Sequence, residues 1–131
     1  MRYRRIIFFK GAVETLTFFS RQLAYHLRRA GADVVFIDVD EDTPSGESPR
    51  QIRDFSEAGR TLVITFNFIG LSGEKQFLGE SGASVFSELS LPVFNILVDH
   101  PLYYYKQLFL VSDEMHIFTV DRGHLAFLKR Y

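Results

Sequence analysis

Apolar positions along the chain follow two periods in turn. Short runs such as YRRIIFF (3–9) and DVVFIDV (33–39) are apolar at successive positions, as a buried strand requires. Between them, ETLTFFSRQLAYHLRRAG (14–31) repeats its apolar residues at spacings of three and four. Leu16, Phe19, Leu23, Leu27 and Ala30 therefore share one helical face. Glu14 near the start, Arg28 and Arg29 near the end and Gly31 just beyond suit the helix dipole and a left-handed stop. The alternation continues. RTLVITFN (60–67), PVFNILVD (92–99) and MHIFTVD (115–121) predict three more strands. After the polar loop DEDTPSGE, Ser48 is expected to cap a short helix with Pro49 first and Gln51 closing a capping box, ending near Gly59. Further helices are expected at 83–89, with Val85, Phe86 and Leu89 inward, at 101–108 and at 122–131.

Strands apolar on both alternating sets belong in parallel sheets covered on each face. Right-handed crossovers then predict a three-layer, doubly wound, Rossmann-like α/β domain of about five parallel strands with helices on both faces. In such sheets ligands bind beyond the carboxyl ends of the strands, where the strand order reverses. Polar residues stand at each expected end: Lys10-Gly11, Asp38 to Asp40, Asn67, Asp99-His100 and Asp121.

Composition narrows the classes. A chain of 131 residues, 47% hydrophobic and with 14 Phe, fits one domain with a dry core. With no cysteine, disulfides and Cys-based metal sites are excluded, and a reducing, cytoplasmic setting is expected. The formal charge of −1 supplies no broad positive field for nucleic acid. The apolar run IIFF is far too short for a signal core or a membrane span. The histidines (His26, His100, His116, His124) show no metal-ligand spacing.

Several nucleotide-binding classes fail on their motifs. The first turn reads FFKGAVETL, with Gly11 alone, so neither G-x-G-x-x-G nor a phosphate loop is present. Asp38 and Asp40 then read as solvated strand-end carboxylates. A phospho-acceptor receiver would need carboxylates after the first and third strands, which end instead in Lys10 and Asn67.

The most informative stretch is FNILVDHPLYYYKQL (94–108), where an apolar strand stops at Asp99-His100-Pro101. Asp99 and His100 are candidates for a general base toward a substrate hydroxyl, a contribution of about 10²–10⁴-fold to rate. Alternatively Asp99 caps the helix opened by Pro101, and His100 is a solvated turn residue. Tyr103, Tyr104 and Tyr105 cannot all face one way on a helix. Tyr105 shares the face of Leu102 and Leu108 and is the expected core member, leaving Tyr103 or Tyr104 to stack on a ligand. NFIGLSGEKQFLGESG (67–82) is a glycine-bearing loop that either lines the site or merely connects. Asp121 is expected to cap the last helix, with His124 in its first turn.

NILVDHPLYYY and VDRGHLAFLKRY together resemble the amino-terminal region of the CgeB-type bacterial glycosyltransferases, which have GT-B architecture. The resemblance covers 94–131. It implies an acceptor-side domain facing a carboxy-terminal domain that binds a nucleotide-sugar donor, so the chain itself would hold no cofactor. Asp99 or His100 would act as base, with Asn67, Tyr103, Tyr104, Asp121 and His124 around a small-molecule or glycan acceptor. Because the final helix runs into Lys129-Arg130-Tyr131 without a capping glycine, residues 1–131 are expected to be the amino-terminal part of a longer protein. Alone the domain would bind weakly and transfer nothing. The second reading of the residues is a non-catalytic module of the same fold that binds a small ligand or a protein, and a homo-oligomer is among the assemblies it could form.

Overall fold

A computed structural model describes residues 1–40 and 46–130. Five strands, β1 (Arg5–Lys10), β2 (Asp33–Asp38), β3 (Thr61–Phe66), β4 (Val93–Leu97) and β5 (Met115–Thr119), form one sheet in the order β2-β1-β3-β4-β5. Every pairing is parallel, from Arg5↔Asp33 at one edge to Leu97↔Thr119 at the other. The expected doubly wound α/β architecture is thus present. Its order reverses between β1 and β3, the position at which such sheets open a crevice.

Among the described residues four helices lie between strands, α1 (Glu14–Arg29), α2 (Glu47–Phe55), α3 (Val85–Glu88) and α4 (Tyr105–Leu108), and a fifth, α5 (Arg122–Leu128), follows β5. Helix α1 covers one face, where Ile6, Phe8, Ala24, Leu62 and Ile64 make one core cluster. Helices α2 and α3 and the turn Lys75–Phe77 cover the other, around Ile7, Phe9, Ile37, Ile52, Val63, Phe77 and Phe86. Alternate residues of β1 and β3 feed the two clusters, which is why both strands read as unbroken apolar runs.

Local chemistry moves several expected boundaries. The buried face of α1 is Leu16, Ser20 and Ala24 with Leu27 behind them, while Phe19 and Ala30 are exposed. Small residues lie nearest the sheet because they let the helix approach it closely. Ser48 does not cap α2. The helix begins two residues earlier, at Glu47 after Gly46 in a left-handed conformation, and Ser48 is buried inside its first turn. Helix α2 also ends at Phe55 rather than near Gly59. The centre of the polar loop (41–45) and Tyr131 lie outside the described residues.

Four of the five strands read as apolar on both alternating sets, and β5 is a strand that is not buried on both faces. The β4–β5 connection holds only a 3-10 turn and one turn of α4, and α1 reaches no further than β3 and the flank of β4. Phe118 is therefore 47% exposed and His116 is exposed. Tyr105 and Leu102 are likewise solvent-exposed rather than core. The tyrosine that packs is Tyr104, whose ring lies 5.8 Å from that of Phe68. A 3-10 start (Pro101–Tyr104) turns the side chains through a wider angle per residue than an α-helix, which moves the inward position back by one.

Candidate functional site at the carboxyl rim of β3, β4 and β5

Chain direction gathers the carboxyl ends of all five strands along one rim. At the end of β3 the backbone reverses through Phe66–Ile69, with the Ile69 N–H donating to the Phe66 carbonyl at 3.0 Å. The two central residues, Asn67 and Phe68, have φ of 51° and 59°. Positive φ at both positions defines a type I′ turn. Asn tolerates that conformation, whereas a bulky aromatic does so at a cost of about 1–2 kcal/mol. Burial and a hydrogen bond hold Phe68 there. Its side chain is almost fully buried, and its N–H donates to Asn95 Oδ1 at 3.1 Å.

Asn67 then ties the ends of two strands together. Its Nδ2 donates to Asp99 Oδ2 at 2.9 Å, and its Oδ1 accepts from the Val98 and Asp99 N–H groups at 3.0 and 3.4 Å. Tyr104 donates its hydroxyl to the same Asp99 Oδ2 at 3.1 Å. One carboxylate oxygen is thus held by two donors from different segments. Asp99 Oδ1 accepts no hydrogen bond among the described residues, and the residue is exposed at the rim. Partial burial, reinforced by the hydrogen bond and negative charge of Asp99, pushes the Tyr104 hydroxyl up to about 12. Tyr104 is therefore a neutral donor throughout the physiological range.

The expected cap on the helix opened by Pro101 is assigned to a different residue. His100 performs it, with Nδ1 accepting from the Leu102 N–H at 3.1 Å, while Asp99 turns toward Asn67 and Tyr104. An imidazole that accepts at Nδ1 carries its hydrogen on Nε2 when neutral. His100 is placed to donate to a ligand.

His100 is not a freely solvated turn residue. Its ring meets those of His124 at 4.9 Å and Phe127 at 5.0 Å, both edge-on. His124 is brought there by the cap expected of Asp121, whose Oδ1 accepts from the Gly123 and His124 N–H groups at 2.6 and 3.3 Å. Asp121 is thereby committed to the start of α5. His124 Nδ1 is buried and has no hydrogen-bond partner among the described residues.

The rim therefore holds two neighbouring groups. Asn67, Asp99 and Tyr104 form a hydrogen-bonded cluster, and His100, His124 and Phe127 form an aromatic one, joined through the Asp99–His100 peptide. Tyr103 stands beside them, 77% exposed and with its ring free to cover a ligand. Lys10 and Gly11, at the topological switch point, do not contact this cluster. Gly11 has φ of 95° and its α-carbon faces the Asp38 carboxylate so closely that a Cβ would stand 2.5 Å from Oδ1. Asp38 Oδ1 accepts from the Asp40 N–H at 2.9 Å, closing the end of β2. Among the described residues no three His, Cys, Asp or Glu side chains are grouped to hold a metal ion.

The 67–82 loop is tied to the end of β2 by Gln76, whose Nε2 donates to the Asp38 carbonyl at 3.2 Å, and is folded on itself by Glu74. Glu74 accepts from the Gly70 and Ser72 N–H groups through its two oxygens at 3.0 and 2.8 Å. Asn95 and Phe68, which set the loop's exit from β3, were missed by sequence reasoning. Their only signal is a lone amide inside the apolar run FNIL. Asn95 is fully buried; its Oδ1 serves Phe68, and its Nδ2 has no partner among the described residues.

No helix among the described residues is long and apolar enough to cross a membrane. No protein-family model matches the chain, and neither a curated protein nor a solved structure matches it.

Proposed function

We propose that this domain is the acceptor-side, amino-terminal half of a GT-B-like glycosyltransferase, working with a second domain that binds a nucleotide-sugar donor. The observation that carries the reading is the Asp99 carboxylate. Asn67 and Tyr104 fix one of its oxygens, while the other is exposed at the carboxyl rim of a parallel sheet. A carboxylate so oriented can accept the proton of an acceptor hydroxyl as that oxygen attacks the anomeric carbon of the donor sugar. The nucleoside diphosphate then departs with the bonding electrons. His100 Nε2 would donate a hydrogen bond to a neighbouring acceptor oxygen, and Tyr103 would stack on the acceptor's apolar face. Asp121 and His124 form the far wall.

Two measurements test this. Saturation-transfer NMR on the isolated 131-residue chain should show weak binding of hydroxylated acceptors, without sugar transfer when a nucleotide sugar is added. In the full-length protein, Asp99→Asn should lower turnover about 10²–10⁴-fold, as expected when a positioned base is lost, with acceptor affinity nearly unchanged. Sugar transfer by the isolated chain, or undiminished turnover in Asp99→Asn, would overturn the proposal.

The exposed Tyr103 ring supports a second reading, a non-catalytic binding module that uses the same rim. His100→Gln separates the two. In an enzyme it lowers turnover while acceptor binding persists; in a module it lowers association where there is no turnover to lose.

A further inference from the structure

A cavity of about 190 Å³ opens on the face of the sheet opposite α1. The loop after β3 (70–78) supplies one wall, α3 a second, and the segment joining α4 to β5 a third. Its deepest lining is Phe77, Phe86, Leu91 and Val93, all buried, and its mouth is exposed at Ser87 and Glu114. An apolar cavity of about 150 Å³ is known to take up benzene, so this one admits a single ring of that size with a side arm of roughly two more heavy atoms. None of Asn67, Asp99, His100, Tyr104 or His124 lines it, and what it binds does not depend on the glycosyltransferase reading of the rim.

We infer that this cavity is a binding site for a small primary amine carrying one ring-sized apolar group. The buried floor accepts the ring, as ligand pockets with apolar walls and a few polar groups do. Charge selects the arm. Glu74 and Glu114 are among the lining residues, and no Lys, Arg or His is. Neither carboxylate forms an ion pair among the described residues. Glu74 accepts one N–H at each oxygen, from Gly70 and Ser72, which holds it in place and uses two of its roughly four lone-pair positions. An ammonium group brings three donors and a positive charge to these acceptors, whereas an anionic ligand would be repelled. A metal ion is a poorer match, because no three His, Cys, Asp or Glu side chains gather among the described residues. The buried apolar floor is what separates this site from a solvated acidic patch.

Titrating benzylamine, a ring with a two-atom arm, into the nitrogen-15-labelled chain at neutral pH and fixed ionic strength tests this by amide chemical shifts. Saturable shifts are expected at Gly73, Leu91 and Met115, with a dissociation constant of about 1 mM for so small a ligand. Benzyl alcohol has the same size without the charge and should bind about fivefold more weakly, and benzoate should not saturate. Glu114→Gln should weaken benzylamine about fivefold and leave benzyl alcohol unchanged. That side chain is exposed, so the variant should keep the wild-type circular dichroism spectrum. No saturable shift up to about 50 mM amine overturns the inference. Equal binding of amine and alcohol, or tighter binding of benzoate, overturns the assigned ligand class. Shifts confined to Asn67, Asp99 and His124 would place the amine at the rim and overturn the assigned cavity.

Discussion

Removing the Asn67 side chain perturbs the rim at its tie point, and the cost can be worked from three contacts and one backbone angle. In Asn67→Ala the Val98 and Asp99 N–H groups lose their acceptor, and Asp99 loses a donor. An unsatisfied buried donor costs about 1–3 kcal/mol. Water reaches Asp99 and partly reaches Val98, so the lower end applies, about 1–2 kcal/mol for the three contacts together. The backbone at φ of 51° adds about 1 kcal/mol when Ala replaces Asn. The expected loss is about 2–3 kcal/mol in urea unfolding, read as a lower midpoint at constant slope. Asn67→Gly removes the same side chain but tolerates the angle, so it should be about 1 kcal/mol more stable than the Ala variant. Asn67→Asp keeps the acceptor and sets a second carboxylate against Asp99, raising the pKa of one member of the pair in the folded state. A raised folded pKa contributes stability at low pH that is lost as pH rises. This variant should therefore be weakest near neutrality and recover part of its deficit as pH falls toward 4. The reasoning fails if Asn67→Ala costs under 1 kcal/mol, if Ala and Gly are indistinguishable, or if the Asp variant shows no recovery in acid.

Two further outcomes are expected. Tyr104 has a hydroxyl raised to about 12, so the stability difference between wild type and Tyr104→Phe should be constant below about pH 10, the unfolded value, and shrink as pH rises toward 12; ultraviolet titration should show one tyrosine ionising after the others, and a single transition near pH 10 would refute it. Gly70→Ala should lose about 2–4 kcal/mol by thermal or urea unfolding, because φ of 79° disfavours a Cβ and that atom would stand 2.6 Å from the buried Phe9 ring; a loss below 1 kcal/mol would mean the Phe9 ring yields freely.

The parts of this fold that were legible in the sequence are those where side-chain period and burial coincide. β1 and β3 are buried on both faces, so their apolar runs announced parallel strands directly. Asp121 was legible as a cap because its short carboxylate reaches the N–H groups two and three residues on, a contact internal to the segment. The misreadings arise where a local rule meets a distant competitor. Asp99 had the same credentials as Asp121, yet Asn67, 32 positions away in the chain, and Tyr104 occupy its carboxylate and leave the cap to His100. Tyr105 looked like core because an α-helical period was assumed through a segment that starts as a 3-10 turn. Ser48 looked like a cap because its neighbours fit the pattern, but Gly46 could adopt the left-handed angle that starts the helix sooner.

The same contrast bears on how the rim would work. Asp99 has one oxygen committed to the scaffold, and that commitment runs through a turn whose second residue, Phe68, is held at an unfavourable angle by burial, by Asn95 and by the Tyr104 ring. Tyr104 contacts both ends of this arrangement, Asp99 with its hydroxyl and Phe68 with its ring. The strained turn and the carboxylate are therefore mechanically linked: relaxing Phe68 would move Asn67, and moving Asn67 would release Asp99. Strain of this kind persists only where surrounding contacts over-determine it. Two donors, Asn67 Nδ2 and the Tyr104 hydroxyl, meet on one Asp99 oxygen, and that fixes the orientation of the carboxylate, which the proposed role as a base toward a bound hydroxyl would require.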